Sequence, residues 1–125
     1  MTSDRMQQRR RLLLVEDYAL GRSVSARALR SAFAVTAVSC GEEALPYVTR
    51  GAFDIVLTDF RMPVMTGIEL LELLRLRDAG LRRVLMSGSE VPGLPGYLAI
   101  GLVHAFLRKP FELEAAREAL APAGE

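Results

Sequence analysis

A layered α/β domain, one parallel sheet covered by helices on both faces, is the fold class this sequence predicts. Two observations lead there. Short aliphatic runs alternate five times with segments whose apolar residues recur at helical spacing. The clearest runs, Leu12-Leu13-Leu14-Val15 and Ile55-Val56-Leu57, also lack the polar alternation of a half-exposed strand, so both faces of the sheet are expected to be buried. Strands that alternate with helices run parallel and are joined by right-handed crossovers.

Residues 12–15 form the first expected strand. Residues 19–32 follow as a helix, with Leu20, Val24, Ala28, Leu29 and Ala32 at helical spacing. Residues 34–39, carrying Val35, Ala37 and Val38, read as the second strand. Gly41-Glu42-Glu43 opens a second helix with acids at the positive end of its dipole. Pro46 limits that helix, because proline is accepted only near a helix start. Residues 55–57 make the third strand, and Ile68, Leu70, Leu71, Leu73 and Leu74 a strongly apolar third helix. Residues 84–86 and 104–107 are the fourth and fifth strands, and residues 112–120 the closing helix.

The segment at residues 90–101 resists this pattern, since Pro92, Gly93, Pro95 and Gly96 crowd its first half. An interior proline costs a helix about 3 kcal/mol and a glycine about 1. A loop or single turn through Gly96 is therefore expected, with any regular helix confined to residues 97–100. The sum is a flavodoxin-like, doubly wound five-stranded parallel sheet of order 2-1-3-4-5, with an irregular or shortened fourth helix.

At 125 residues and net charge +1 the chain suits one domain and shows neither a nucleic-acid footprint nor an acidic tail. Its apolar runs fall short of the roughly 20 residues of a membrane span, and no secretory signal precedes residue 11. A cytoplasmic protein is expected, without direct contact to nucleic acid or membrane. Residues 1–10 read as a flexible leader, with Arg9-Arg10-Arg11 solvated, residues 11–121 as the domain and 122–125 as a tail. Cys40 is alone, which excludes an intrachain disulfide, and reads as a small buried residue. His104, the one histidine, opens a strand, a poor position for a phosphohistidine or a metal ligand.

Chemistry concentrates at the strand ends. Asp59 ends the third strand, Glu16-Asp17 follows the first, and Lys109-Pro110 follows the fifth. In a doubly wound sheet these C-terminal tips share one crevice. Hard oxygen ligands there suit magnesium: Asp17, Asp59 and the backbone carbonyl of Arg61 directly, and Glu16 through a water. Ser87 offers a hydroxyl and Lys109 a point charge to phosphoryl oxygens, and Asp59 is placed as a nucleophile. No glycine-rich phosphate loop supports a nucleotide site. Taken singly, Asp59 reads as a turn cap, Ser87 as a strand end and Lys109 as a turn residue. Their convergence favours chemistry. Phe106 divides evenly between core packing and a moving role.

Five segments carry a family resemblance: Val15-Glu16-Asp17, Asp54-Ile55-Val56-Leu57-Thr58-Asp59, Met62-Pro63-Val64-Met65-Thr66-Gly67, Val84-Leu85-Met86-Ser87-Gly88 and Phe106-Leu107-Arg108-Lys109-Pro110-Phe111. Together and in this order they resemble the receiver domain of bacterial two-component response regulators. The resemblance implies that Asp59 accepts a phosphoryl group from the phosphohistidine of a sensor histidine kinase or histidine phosphotransfer protein. It further implies that Glu16 and Asp17 serve the magnesium ion, and that Ser87 and Phe106 form a switch. A downstream protein would then read the 90–111 face, with homodimerisation open. Beyond its own phosphorylation and dephosphorylation, no enzymatic turnover is implied.

Thr66, Ser87, Arg61 and the Pro/Gly-rich segment depart from the commonest pattern of that family. Arg61, two residues past Asp59, is expected to overhang the site and lengthen the phosphoryl lifetime. It also occupies the place where a related aspartate-dependent phosphatase would carry its general acid. Two alternatives stand beside the main reading. One is a pseudo-receiver that binds partners without phosphorylation, against which the full residue set counts. The other is a receiver cut from a hybrid kinase or longer regulator, against which Met1 and its leader count.

Overall fold

The computed structural model describes residues 9–122; the rest of the expected leader and tail lies outside the described residues. Five parallel strands occur: β1 (Arg11–Val15), β2 (Ala34–Val38), β3 (Ile55–Asp59), β4 (Arg82–Ser87) and β5 (Ala105–Arg108), in the order β2-β1-β3-β4-β5. Between and after them come α1 (Ala19–Leu29), α2 (Gly41–Ala44), α3 (Gly67–Arg77), α4 (Leu94–Ala99) and α5 (Leu113–Leu120). This is the flavodoxin-like arrangement, and the order reverses between β1 and β3, where the crevice opens.

Alternation along the strands divides the core. Leu13, Val15, Val56 and Leu85 face one way and pack with Ile68, Leu70, Leu71 and Leu74 of α3. Leu12, Leu14, Ile55, Leu57, Val84 and Met86 face the other way, against Ala26 and Leu29 of α1 and Ala116 and Leu120 of α5. Register then aligns the strand ends. Val15 lies opposite Thr58, Asp59 opposite Met86, and Ser87 opposite Arg108. Glu16, Asp59, Ser87 and Lys109 consequently meet at one edge.

The structure corrects several element-level expectations. Leu20 and Val24 are 62% and 61% exposed, and α1 buries Ser25, Ala26 and Leu29 instead. Both sides of α1 carry small or apolar residues, so spacing alone did not select the inner one. The helix at α4 starts at Leu94, ahead of the expected Tyr97. Pro95 falls in its first turn, where no backbone N–H is required, and Gly93 enters through φ 80°. The element is short, as expected. At α2, the helix gives way at Leu45 to a 3-10 turn that holds Pro46. Strand β5 is displaced by one residue, starting at Ala105, and Cys40 is half-buried.

Arg9 and Arg10 are half-buried and tied to helix ends. Arg9 Nη1 donates to Arg30 O at 2.7 Å at the end of α1, and Arg10 donates to Leu120 O at the end of α5. Arg82 adds two bonds of 3.1 and 3.0 Å to Ala119 O. Helix C-termini leave carbonyls without intrahelical partners at the negative end of the dipole, and guanidinium groups satisfy both needs. Arg11, in β1, pairs with Asp54 at 3.1 Å. Among the described residues no helix is long and apolar enough to cross a membrane.

Candidate functional site

The crevice is built around Lys109. Its Nζ donates to Glu16 Oε1 at 2.7 Å and to Asp59 Oδ2 at 3.1 Å. The Lys109 backbone N–H donates to Ser87 O at 2.9 Å, fixing the base of the side chain to the tip of β4. The Lys109-Pro110 peptide is cis. Burial, the largest single influence, pulls the Lys109 pKa down; hydrogen bonds and charge from Glu16 and Asp59 outweigh it, so the pKa is raised.

Glu16 is 1% exposed, and its Oε2 has no hydrogen-bond partner. A buried carboxylate oxygen in that state is costly unless something else satisfies it. Asp17 is exposed. Arg22 of α1 steadies this acidic pair by donating to Glu16 O at 2.9 Å and Asp17 O at 3.3 Å. Among the described residues no group of three His, Cys, Asp or Glu side chains is gathered at metal-binding distances. Lys109 instead bridges the two buried acids.

Asp59 is buried beneath the start of α3. Thr66 caps that helix: its hydroxyl accepts from Glu69 N at 3.2 Å, and Glu69 Oε1 accepts from Thr66 N at 2.9 Å. Gly67 N donates to Phe60 O at 2.8 Å, drawing the helix onto the strand end. In the preceding loop, Met65 N donates to Pro63 O at 2.7 Å around Val64, whose φ is 71°.

Ser87 is 2% exposed, and its Oγ accepts from Ser89 N at 3.1 Å. Ser89 Oγ lies 3.5 Å from both Ser87 Oγ and Arg61 Nε. Arg61 therefore leans toward the β4 loop. Ser89 escaped the sequence reading, and the Ser-Gly-Ser spacing after β4 is the signal that marks it. Phe106 is half-buried and packs against the core layer that includes α3. It pairs across strands with Leu85, two residues before Ser87.

A lysine-bridged carboxylate pair thus sits at the tips of a parallel 2-1-3-4-5 sheet, the arrangement of a flavodoxin-like domain with an acidic crevice. The chain belongs to the response regulator receiver domain family, whose model matches residues 12–121. It is 39% identical over 116 residues to the transcriptional activator protein PfeR of Pseudomonas aeruginosa, covering 88% of this chain and 37% of that protein. Sporulation initiation phosphotransferase F of Bacillus subtilis is 32% identical over 81 residues, covering 64% of each chain. The receiver domain of sensor histidine kinase PA1611 from Pseudomonas aeruginosa, solved with magnesium in its active-site cleft, aligns at TM-score 0.76. Identity there is 26%, with 89% of this chain and 93% of that one covered. The chain spans about a third or less of the first two curated relatives, 37% of PfeR and 22% of the response regulator protein FleR of Pseudomonas aeruginosa. The protein carries a receiver domain of two-component signal transduction.

Proposed function

We propose that this domain accepts a phosphoryl group on Asp59 and transmits that event to a partner through the 90–111 face. The carrying observation is the Lys109 bridge, which holds two acids from separate strands in one crevice beside Ser87. A carboxylate oxygen of Asp59 attacks phosphorus in line, the bond from phosphorus to the donor histidine nitrogen breaks, and the imidazole leaves. The donor is a sensor histidine kinase or a histidine phosphotransfer protein. Lys109 compensates charge on the phosphoryl oxygens and Ser87 donates its hydroxyl to one of them. Ser87 Oγ also accepts from Ser89 N at 3.1 Å, so a bond from its hydroxyl to the phosphoryl group would couple the β4 loop to the phosphoryl state. Phe106, next to Leu85 and partly open, follows by repacking.

Magnesium fits this donor set. Glu16 Oε2 is buried and lacks a partner, and Asp17 and Asp59 supply further hard oxygens. Asp17, Asp59 and the carbonyl of Arg61 would hold the ion, with Glu16 acting through a water. When bound, the ion neutralises charge on the incoming phosphoryl group. The domain does no other catalysis in this reading, which takes it to be a cytoplasmic signalling module.

The test is intact mass after incubation with magnesium and acetyl phosphate, beside Asp59→Asn. A single phosphate adduct that requires magnesium and is lost in Asp59→Asn is expected. Absence of the adduct in the native chain would leave a pseudo-receiver that works by protein contact.

A further inference from the structure

We propose that the His104 ring and the Arg83 backbone N–H form a proton-operated clasp between β4 and the start of β5, closed while the His104 ring is neutral and released when it is protonated. The proposal is independent of phosphoryl chemistry, because the clasp sits near the opposite end of β4 from Ser87.

Arg83 is 3% exposed, and among the described residues no carboxylate pairs with it. Its guanidinium donates instead to main-chain carbonyls of two separate turns. Nε reaches Leu102 O at 2.8 Å and Nη2 reaches Gly101 O at 2.9 Å, both after α4. Nη1 reaches Leu81 O at 3.1 Å and Ala79 O at 3.2 Å, both after α3. One buried cation thus ties the turn before β4 to the turn before β5.

His104 completes the clasp and makes it sensitive to protons. Its Nδ1 accepts the Arg83 backbone N–H at 2.9 Å, and the His104 backbone N–H donates to Arg83 O at 2.8 Å. With the Nδ1 lone pair engaged, the neutral ring carries its proton on Nε2, a donor that faces the Arg83 Nη2 donor at 3.3 Å without bonding to it. A second proton can enter only at Nδ1. There it abolishes the acceptor, sets two N–H groups against each other and adds charge beside a guanidinium.

The surroundings offer little relief. Arg82 and Arg83 come from β4, Arg75 from α3, and Asp78 from the turn after it. The cavity on the open side of His104 is lined further by Arg10, Arg11, Arg50 and Asp54. Asp54 is engaged by Arg11, and Asp78 accepts from Gly51 N and Gly80 N. Burial first, then the charges of Arg83, Arg82 and Arg75, hold the His104 pKa below the ordinary histidine value. Protonation is then relieved by swinging the ring into solvent, which its exposure permits. Release removes the acceptor from the Arg83 backbone N–H at the start of β4, while the Arg83 guanidinium keeps its hold on Gly101 O and Leu102 O.

Nuclear magnetic resonance on labelled protein tests this directly, since His104 is the one histidine and its ring signals are unambiguous. Titrating from about pH 7.5 to about pH 5 should show one protonation with a midpoint below about 6.5. The amide of Arg83 should follow the same curve. Its hydrogen exchange, corrected for the intrinsic pH dependence, should rise about tenfold across it. His104→Asn places a non-titrating oxygen where Nδ1 stood and should flatten the response. A ring midpoint at or above the ordinary value, or an Arg83 amide that ignores the ring, overturns the proposal. Should His104→Asn fail to fold, the ring and amide titrations of the native chain decide alone.

Discussion

Gly67 stands directly against Asp59: a Cβ added at Gly67 would come 2.3 Å from the Asp59 carbonyl oxygen and 2.8 Å from Leu85 Cδ1. The first obstacle is backbone, which cannot rotate aside. The start of α3 is thereby pressed onto the strand end that carries the Asp59 carboxylate.

Gly67→Ala should therefore destabilise the fold, although alanine is the better helix former by about 1 kcal/mol. Forcing extra volume into a packed site costs about 1–3 kcal/mol, and the clash is expected to win. A urea midpoint lower than the native one, with slower phosphorylation of Asp59, is the predicted result. An unchanged midpoint would mean that α3 lifts away without penalty.

Lys109→Met should lower stability near neutral pH by about 1–3 kcal/mol, because it leaves the buried Glu16 carboxylate without its donor. The folded-state pKa of Lys109 is raised. Its contribution is thus fully present below the unfolded value of about 10.4 and fades as pH rises through the folded one. Denaturation curves across the alkaline range check this: the native chain should lose stability there, and Lys109→Met should lose less.

The contact of Arg61 with Ser89 places a guanidinium at the rim of the crevice. Arg61→Ala should shorten the phosphoryl lifetime severalfold by opening a path for water, in a region where rim contacts of this kind are worth about 1 kcal/mol. The decay of the phosphate adduct, followed by mass after the donor is removed, measures it. Equal decay rates in the two proteins would sink the idea.

Val64 adopts φ 71° while 90% exposed. For a branched residue that conformation costs about 1–3 kcal/mol, and no buried surface compensates. Val64→Gly should raise the urea midpoint, by an amount reduced by the extra freedom glycine has when unfolded. A lower midpoint would show that the Val64 side chain makes contacts that outweigh its strain.

Much of this architecture was legible in the chain. Unbroken runs such as Leu12-Leu13-Leu14-Val15 and Ile55-Val56-Leu57 can satisfy their apolar faces only in a sheet covered on both sides, and their alternation with helices dictated parallel order. The strand-end positions of Glu16, Asp59, Ser87 and Lys109 followed from that order alone. The inner side of α1 was not legible, because Leu20 and Val24 satisfy helical spacing as well as Ala26 and Leu29 do. Nor was the start of α4, where a left-handed Gly93 turns Pro95 from an interior breaker into a first-turn residue.

By itself, then, the sequence determined which elements form and which chemical groups end the strands, since both depend on local propensity and hydrophobic period. Tertiary structure decided the contacts between them. Whether Lys109 reaches Glu16 and Asp59, whether Arg9 and Arg10 wander or cap helix ends, and whether Arg83 finds carbonyls instead of an acid are questions of distance between segments far apart in the chain. Register and packing set those distances, and no local pattern encodes them.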